Sequence, residues 1–259
     1  MFYIQFGGIL LKTKRSVFIL AALVLSAALV SGVLLYNGII WFVYPEHKGY
    51  EVKGIDVARY QGDIDWEIIS SQSIKFAFIK ATEGSSYSDP TFDVNIIESR
   101  NNGIYSSAYH FFSAESSGKT QAENFIKIVS PYIIDLPPVL DFEIPKTVND
   151  KENIVKEAQV FLRTVEKFFG ITPIIYTTYE SYSAFLASDF YEYPLWFRDL
   201  LREPKIEGER DWLFWQYSNR GRINGIDKKQ KYVDLNVFNG TADEFEAYVR
   251  ELSTRLFTE

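Results

Sequence analysis

Hydrophobic and polar positions divide the chain into a long apolar segment followed by short apolar runs that alternate with amphipathic stretches. Residues 17–36 read VFILAALVLSAALVSGVLLY, and residues 16–44 contain no charged side chain. A helix of about 20 apolar residues is long enough to cross the hydrocarbon core of a bilayer. The pattern predicts a transmembrane signal-anchor region within residues 16–44. A short polar linker, residues 45–52, is predicted to follow it.

The charges beside the apolar segment predict its orientation. Lys12, Lys14 and Arg15 precede it, and basic residues favour the cytoplasmic side of a bacterial membrane. Residues 1–15 are therefore predicted to be a short cytoplasmic N-terminus, with residues 53–259 outside the cytoplasmic membrane. A cleaved signal peptide shares this layout but has a shorter apolar region. The apolar stretch continues to Val43 and favours a retained single-pass anchor, with cleavage and secretion as the alternative.

The remaining chain has the pattern of an α/β barrel. Eight apolar runs have the length and composition of strands: 54–57, 75–80, 105–111, 138–142, 173–177, 195–197, 213–217 and 233–237. Between the first five lie amphipathic, helix-like patterns at 65–71, 91–102, 120–129 and 152–169. Strands that alternate with helices favour a parallel sheet. We therefore predict a barrel domain over residues 53–259 whose second half lacks full helices and which a helix at 242–256 closes.

Charge and cysteine content exclude several classes of function. Removing three N-terminal basic residues from the chain's 27 leaves 24 against 34 acidic ones, a net charge of −10 for residues 46–259. A domain with this charge is expected to repel nucleic acid. The chain has no cysteine, which excludes disulfides, thiolate catalysis and zinc–thiolate sites.

Four acidic residues are predicted to meet at one end of the barrel. Asp141 and Glu143 lie two residues apart in PPVLDFEIP, so a strand directs both carboxyls to the same face. Catalytic groups of such barrels lie at the carboxyl ends of the strands. Asp56 ends the first strand, and Asp234 ends or enters the last, which closes beside the first. Clustered carboxylates raise one another's pKa, so one can stay protonated while another is ionised, as glycosidic cleavage requires.

An acidic pair at a strand end can instead bind a divalent metal or cap a loop. Metal sites usually include further histidine or oxygen ligands, and the chain contains only two histidines, His47 and His110. His47 falls in the predicted linker. His110 lies on an apolar strand, where a lone histidine is more often structural. We therefore expect no metal and no cofactor.

The apolar runs and their flanking residues occur in an order that resembles glycoside hydrolase family 25, the lysozyme family of N-acetylmuramidases. The matching segments are GIDVARYQGDIDW, FAFIKATEGSSYSDPTF, NNGIYSSAYHFF, LPPVLDFE, IIYT, PLWF, FWQYSNRGRINGI and VDLNVF. The resemblance covers nearly all of residues 53–240. It implies a TIM-like flattened (β/α)5(β)3 barrel with about five helices and three closing strands of antiparallel type.

The resemblance also implies roles for individual residues. Glu143 corresponds to the general acid, and Asp141 to the companion that orients or stabilises the reacting N-acetyl group, with Asp56 and Asp234 as electrostatic and positioning groups. Further positions that match the family's motifs are expected to bind substrate: Lys80, Glu83, Tyr109, Tyr176, Trp196, Trp215 and Gln216. Ala58 and Leu200 depart from the family's usual Ser and aromatic residue.

The implied function is hydrolysis of the β-1,4 bond between N-acetylmuramic acid and N-acetylglucosamine in peptidoglycan. The expected partners are peptidoglycan glycan strands and, through the N-terminal helix, the membrane. Two other functions stay open: a non-catalytic peptidoglycan-binding module on the same fold, and a metal-dependent phosphodiesterase on a similar barrel. The stereochemical outcome depends on the separation of the carboxyls and is not predicted.

Overall fold

The computed structural model describes residues 5–6, 9–10, 14–226, 230 and 232–256, and the chain forms two compact units, Met1–Trp41 and Phe42–Glu259. In the first unit, the two-residue strands Gln5–Phe6 and Ile9–Leu10 pair antiparallel. The N-terminal helix, Lys14–Tyr36, has a mean hydropathy of 2.7 and no buried residue. By length and composition it can cross a membrane. Lys12 and much of the predicted cytoplasmic segment lie outside the described residues.

The second unit contains the eight predicted strands as one closed sheet. They are β1 (Lys53–Val57), β2 (Ile74–Glu83), β3 (Tyr105–Phe111), β4 (Val139–Phe142), β5 (Ile174–Thr177), β6 (Leu195–Arg198), β7 (Phe214–Gly221) and β8 (Val233–Phe238). Each strand pairs with the next along the chain, and β8 pairs with β1 to close the barrel. A two-residue strand, Tyr87–Ser88, extends β2 at the edge where the functional site lies. The predicted barrel is confirmed.

The direction of the closing strands differs from the expectation of three antiparallel strands. β6 and β7 run parallel to their preceding neighbours, and only β8 runs antiparallel, to both β7 and β1. The reason is the connection length. The segments before β6 and β7 are long enough to return the chain to the opposite end of the barrel, although they carry only short helical turns.

Helices follow the first four strands as predicted. They are α1 (Trp66–Ser70), α2 (Phe92–Asn101), α3 (Gly118–Val129) and α4 (Lys151–Phe169). The connection after β5 holds two short helical turns, Tyr179–Ser181 and Tyr182–Leu186, which the pattern of apolar residues did not predict. α5 (Ala242–Leu256) ends the described chain. With the turns after β5 counted as the fifth helical element, the arrangement is the expected (β/α)5(β)3.

The barrel interior is packed with large side chains. Phe76 and Phe78 of β2 meet Trp196 and Phe214 from the opposite strands, with ring centroids 4.4–5.1 Å apart for the pairs across the barrel. α5 closes this core by inserting Phe245, Val249 and Leu252. Gly54 is required here because a Cβ atom on it would lie 2.3 Å from the ring of Phe76. The end of the barrel that α5 covers is therefore a packed core.

The predicted linker, residues 45–52, contacts the helix-poor side of the barrel. It contains a 3₁₀ turn, Pro45–Lys48, and Val52 is buried. The Tyr50 ring packs against Trp212, with centroids 5.2 Å apart, and its hydroxyl donates a 2.7 Å hydrogen bond to Glu203. This segment thus covers part of the barrel wall where the second half has no full helix.

Candidate active site

A cavity of about 450 Å³ opens where the parallel strands end and the antiparallel β8 begins. Its lining contains nine of the eleven predicted site residues, four of which are the acids. The full lining set is Asp56, Tyr60, Lys80, Tyr109, Phe111, Asp141, Glu143, Tyr176, Trp196, Arg198, Gln216, Asn219 and Asp234. The pairing of strands brings these distant residues together.

Strand register explains the position of each acid. Asp234 lies directly opposite Asp56 in the β8–β1 pair, because the start of an antiparallel strand shares an edge with the ends of parallel ones. Asp141 pairs with Tyr176 of β5, which in turn pairs with Trp196 of β6. These three residues form a row across the interior face. Glu143 lies just beyond the last residue of β4, at the mouth.

Asp56 is held by two amide side chains on the floor of the cavity. Its Oδ2 accepts hydrogen bonds from Gln216 Nε2 at 2.9 Å and from Asn236 Nδ2 at 2.8 Å. Asn236 Oδ1 accepts from Trp196 Nε1 at 2.8 Å, and Gln216 Oε1 accepts from Tyr176 at 2.9 Å. Burial raises the pKa of Asp56 to about 6 despite these two donors, and the Glu143 charge adds to the rise.

Asp141 is buried, with 8% of its surface exposed, and its Oδ1 receives no hydrogen bond from any described protein group. Burial is the main cause that raises the pKa of Asp141 well above its ordinary value, and the neighbouring Glu143 raises it further. Burial, followed by the charge of Asp56, does the same for the pKa of Asp234. Burial therefore makes negative charge costly on the floor of the cavity.

Glu143 has a different environment from the other acids. About 30% of its side chain is exposed, and its Oε1 lies 3.4 Å from Nη1 of Arg198, with which it forms an ion pair. Partial burial raises the pKa of Glu143, while the Arg198 charge and hydrogen bond oppose the rise. A carboxyl of this kind can both reach a substrate at the mouth and exchange its proton with solvent.

Comparison with known proteins identifies the family. The family model described as "Glycosyl hydrolases family 25" matches residues 55–226. The chain belongs to glycosyl hydrolase family 25. It is a glycoside hydrolase of the muramidase type.

Three relatives show how far the similarity to other proteins extends. The uncharacterized protein YegX of Escherichia coli K12 is 42% identical over 206 residues, which cover 77% of this chain and 74% of YegX. Lysozyme M1 of Streptomyces globisporus is 34% identical over 219 residues, 74% of this chain and 69% of that protein. A solved family 25 glycosyl hydrolase from Bacillus anthracis has a TM-score of 0.74 and 42% identity, and the match covers 80% and 97% of the two chains.

Two predicted substrate-binding residues of this family 25 enzyme are not in the cavity lining. Trp215 is fully buried on the outward side of β7, where it packs against Tyr50 and Trp212 and donates a 2.7 Å hydrogen bond to the carbonyl of Asp199. Its side chain therefore lies outside the cavity, because adjacent residues of a strand point to opposite faces and Gln216 takes the inward one. Glu83 lies next to the cavity and forms a 2.6 Å ion pair with Lys80.

Several residues of the family 25 site were not predicted. Arg198 and Asn236 each lie two residues after a predicted site residue on the same strand, Trp196 and Asp234 respectively, so strand periodicity alone could have placed them on the inward face. Three other unpredicted residues line the cavity: Tyr60 in a 3₁₀ turn after β1, Phe111 at the end of β3 and Asn219 near the end of β7.

His110 of this family 25 enzyme is structural. It is fully buried, its Nδ1 lies 2.7 Å from the Thr82 hydroxyl, and its Nε2 lies 3.0 Å from Gln121 Oε1. Burial is the main cause that lowers the pKa of His110 to about 4. Within the described part of the chain, no group of three or more acidic or histidine residues has the arrangement needed to hold a metal ion.

Proposed function

We propose that this enzyme hydrolyses the β-1,4 bond between N-acetylmuramic acid and N-acetylglucosamine in peptidoglycan, with Glu143 as the general acid. The observation that carries the proposal is the contrast between two carboxyls of one cavity: Glu143 is partly exposed at the mouth, and Asp141 is buried behind it. A glycosidase needs two carboxyl groups in different environments, because one must donate a proton while the other orients or stabilises the reacting sugar.

Glu143 meets the requirements of the proton donor. Its position at the mouth gives a glycosidic oxygen access to the carboxyl, and burial raises its pKa, so a larger fraction is protonated near neutral pH than for an ordinary glutamic acid. In the proposed step the Glu143 proton moves to the bridging oxygen. The bond between that oxygen and the anomeric carbon breaks, and its electron pair stays on the departing oxygen. A water molecule then adds to the anomeric carbon to form the reducing end, and the proton that this water releases restores the acid form of Glu143.

Asp141 is proposed to contact the N-acetyl group of the sugar that reacts. Its Oδ1 is buried and has no partner among the described protein groups, a costly arrangement that a bound ligand would relieve. An acetamido group offers both an N–H donor and a carbonyl acceptor, so it can hydrogen bond with either the ionised or the neutral acid. The preference for N-acetylated sugars would follow from this contact.

Asp56 and Asp234 are proposed to act without contacting the reacting bond. Asp56 has one carboxylate oxygen fixed by two amides, and Asp234 lies beside it in the strand pairing. A carboxylate at either position would place negative charge under the sugar, where an oxocarbenium-like transition state develops positive charge that would stabilise it. Lys80, Tyr109, Tyr176, Trp196 and Gln216 are proposed to shape the glycan site around them.

The test is digestion of purified peptidoglycan by the full chain in detergent, followed by mass spectrometry of the released fragments. We expect fragments that end in reducing N-acetylmuramic acid from the wild type and none from Glu143→Gln. Glu123→Gln is the matched control, because Glu123 is an exposed glutamate on α3, away from the cavity.

The fragments distinguish the alternatives. Reducing N-acetylglucosamine ends would show that the other glycosidic bond is cut, and the bond assignment would be wrong. No release by the wild type, together with retention on sedimented peptidoglycan, would favour the non-catalytic binding module. Loss of activity on chelation would favour metal-dependent chemistry.

We also propose that the N-terminal helix, Lys14–Tyr36, anchors the enzyme in the bacterial cytoplasmic membrane with the barrel outside. The helix has 23 residues, which at about 1.5 Å each span the hydrocarbon core of a bilayer. Its basic flank includes Lys14 and Arg15. Alkaline extraction of membranes from the native host should leave the intact chain in the membrane fraction. A shortened chain in the medium, with a new N-terminus after the helix, would instead establish cleavage.

A further inference from the structure

Arg198 is the one lining residue of the cavity that forms an ion pair with Glu143. Its Nη1 lies 3.4 Å from Glu143 Oε1, and about 35% of its side chain is exposed. The other basic lining residue, Lys80, forms its ion pair with Glu83 at 2.6 Å. The mouth therefore provides one positive charge close to the carboxyl that is proposed to transfer a proton.

The backbone that carries Arg198 is held on several sides. Arg198 lies opposite Gln216 in the β6–β7 pair, and the amide of Asp199 donates a 3.2 Å hydrogen bond to the carbonyl of Gln216. The Asp199 carbonyl accepts from Trp215 Nε1, and its side chain accepts from the amides of the next turn. Trp215 thus contributes to the site from the outer face, because it fixes the end of the strand from which Arg198 extends.

The other charged groups around Glu143 do not provide a counter-charge. The acids on the neighbouring strands repel a Glu143 carboxylate, and Lys80 lies near Asp141. The titratable groups that face Glu143 from β1, β2, β3, β4, β5, β6 and β8 are Asp56, Lys80, Tyr109, Asp141, Tyr176, Arg198 and Asp234. Without the Arg198 guanidinium, a carboxylate at Glu143 would be destabilised by the neighbouring acids.

We propose that Arg198 is a positioning residue that holds the Glu143 carboxyl at the mouth and stabilises its negative charge after the proton has moved to the leaving oxygen. The inference rests on the proposed role of Glu143 as general acid. In the step itself, Glu143 loses its proton to the bridging oxygen and becomes a carboxylate, and the charge that appears on it faces Arg198.

The direction in which removal of the Arg198 guanidinium shifts the pKa of Glu143 can be predicted. Arg198 lowers the pKa of Glu143 against the effect of burial, so its loss raises that pKa. A general acid works only while protonated, and activity falls as the pH rises through its pKa. In Arg198→Gln this fall is expected at higher pH than in the wild type. Because the new carboxylate has lost its counter-charge, kcat is expected to fall roughly tenfold with little change in KM.

The experiment uses the full chain and soluble peptidoglycan glycan fragments, with kcat and KM measured across pH. Arg198→Gln should show the lower kcat and the shifted alkaline limb, and Arg198→Lys should restore part of both because it keeps the charge. Arg202→Gln is the control. Arg202 lies four residues along the same chain segment, is about 75% exposed and pairs with Asp199 rather than with Glu143.

A second measurement does not depend on turnover. Titration of the Glu143 carboxyl by carbon NMR in the free protein should move to higher pH in Arg198→Gln and stay in place in Arg202→Gln. Unchanged titration and an unchanged alkaline limb would overturn the inference, with thermal unfolding used to verify that each variant is folded. An inactive wild type with a shifted titration would instead overturn the proposed function and the role of Arg198 in turnover, and would show only that Arg198 stabilises the Glu143 carboxylate.

Discussion

Acidic residues have different environments in two regions of the cavity: the floor, where Asp56 lies, and the rim, which is the mouth where Glu143 lies. On the floor, Asp56 is nearly buried and accepts hydrogen bonds from Gln216 and Asn236. At the rim, Glu143 is partly exposed and has one long contact, with Arg198. The hydrogen bonds on the floor fix the position of the Asp56 carboxyl, although burying its charge is unfavourable. The Glu143 carboxyl at the rim can gain and lose a proton. Substitutions should therefore separate stability, which the floor affects, from turnover, which the rim controls.

The largest expected effect is on turnover at the rim. Glu143→Gln keeps the size of the side chain but removes the proton donor, so the hydrolysis rate should fall about 10²- to 10⁴-fold. Its free energy of unfolding should change by less than about 1 kcal/mol, because the ion pair that it breaks is long, at 3.4 Å, and partly exposed. Rate measurements paired with chemical denaturation check both statements. A large loss of stability would contradict the division into floor and rim.

The next effect is on stability at the floor. Asn236 accepts from Trp196 and donates to Asp56, so Asn236→Ala removes the partner of the buried Trp196 N–H and one of the two donors to Asp56. Each such loss costs about 1–3 kcal/mol, and we expect an unfolding free energy lower by about 2–4 kcal/mol. Urea denaturation measures it. Asn219→Ala is the control, since Asn219 also lines the cavity but does not bond to Asp56.

The pH dependence of stability should show how much the buried charge of Asp56 destabilises the folded protein. The folded pKa of Asp56, about 6, is raised above the ordinary value of 3.8, so folding is unaffected by this group below pH 4 and is progressively penalised as the pH rises through 6. Asp56→Asn keeps an acceptor for both amides and removes the charge. It should stabilise the protein by about 1–3 kcal/mol at pH 7 and by little at pH 4.

Denaturation of wild type and Asp56→Asn at the two pH values decides the matter. Equal stability differences at pH 4 and pH 7 would show that the Asp56 charge is not the cause. Hydrolysis by Asp56→Asn should fall even though the protein is more stable, which is the exchange of stability for activity expected of a strained catalytic site.

The smallest expected effect tests the edge of the cavity. Glu83→Gln removes the ion pair with Lys80, in which the glutamate side chain is 46% exposed. The pair is only partly exposed, because the Lys80 side chain is 10% exposed, so the unfolding free energy should fall by about 1 kcal/mol, the upper end of the range for exposed pairs. Thermal unfolding at low and high salt measures it. A loss as large as that of Asn236→Ala would place Glu83 with the floor.

The strand pattern predicted the fold and much of the site because it depends on local alternation. Asp141, placed on the inward face from its spacing to Glu143, does line the cavity. The same rule assigns Trp215 to the outer face, and its inclusion in the groove came from motif similarity and not from periodicity. The same alternation could have predicted that Arg198 faces inward, because it lies two residues after Trp196 on one strand.

Other features depend on contacts that local patterns do not contain. The amides that hold Asp56 come from residues 160 and 180 positions further along the chain. The packing of residues 45–52 on the barrel wall is equally non-local, because Tyr50 bonds to Glu203. The polar composition of this segment is compatible with either a packed or an extended conformation, so only the tertiary structure distinguishes them.

The pairing of β8 with β1 determines when the site can exist during biosynthesis. Asp234 lies opposite Asp56, and both amides that hold Asp56 belong to the last two strands. Because synthesis starts at the N-terminus, Asp56, Asp141 and Glu143 are all made before β8, the strand that closes the barrel. Contacts this distant in sequence form late in folding. The hydrolytic site is therefore completed only after nearly the whole chain has been synthesised, and a nascent or truncated enzyme lacks its closed floor.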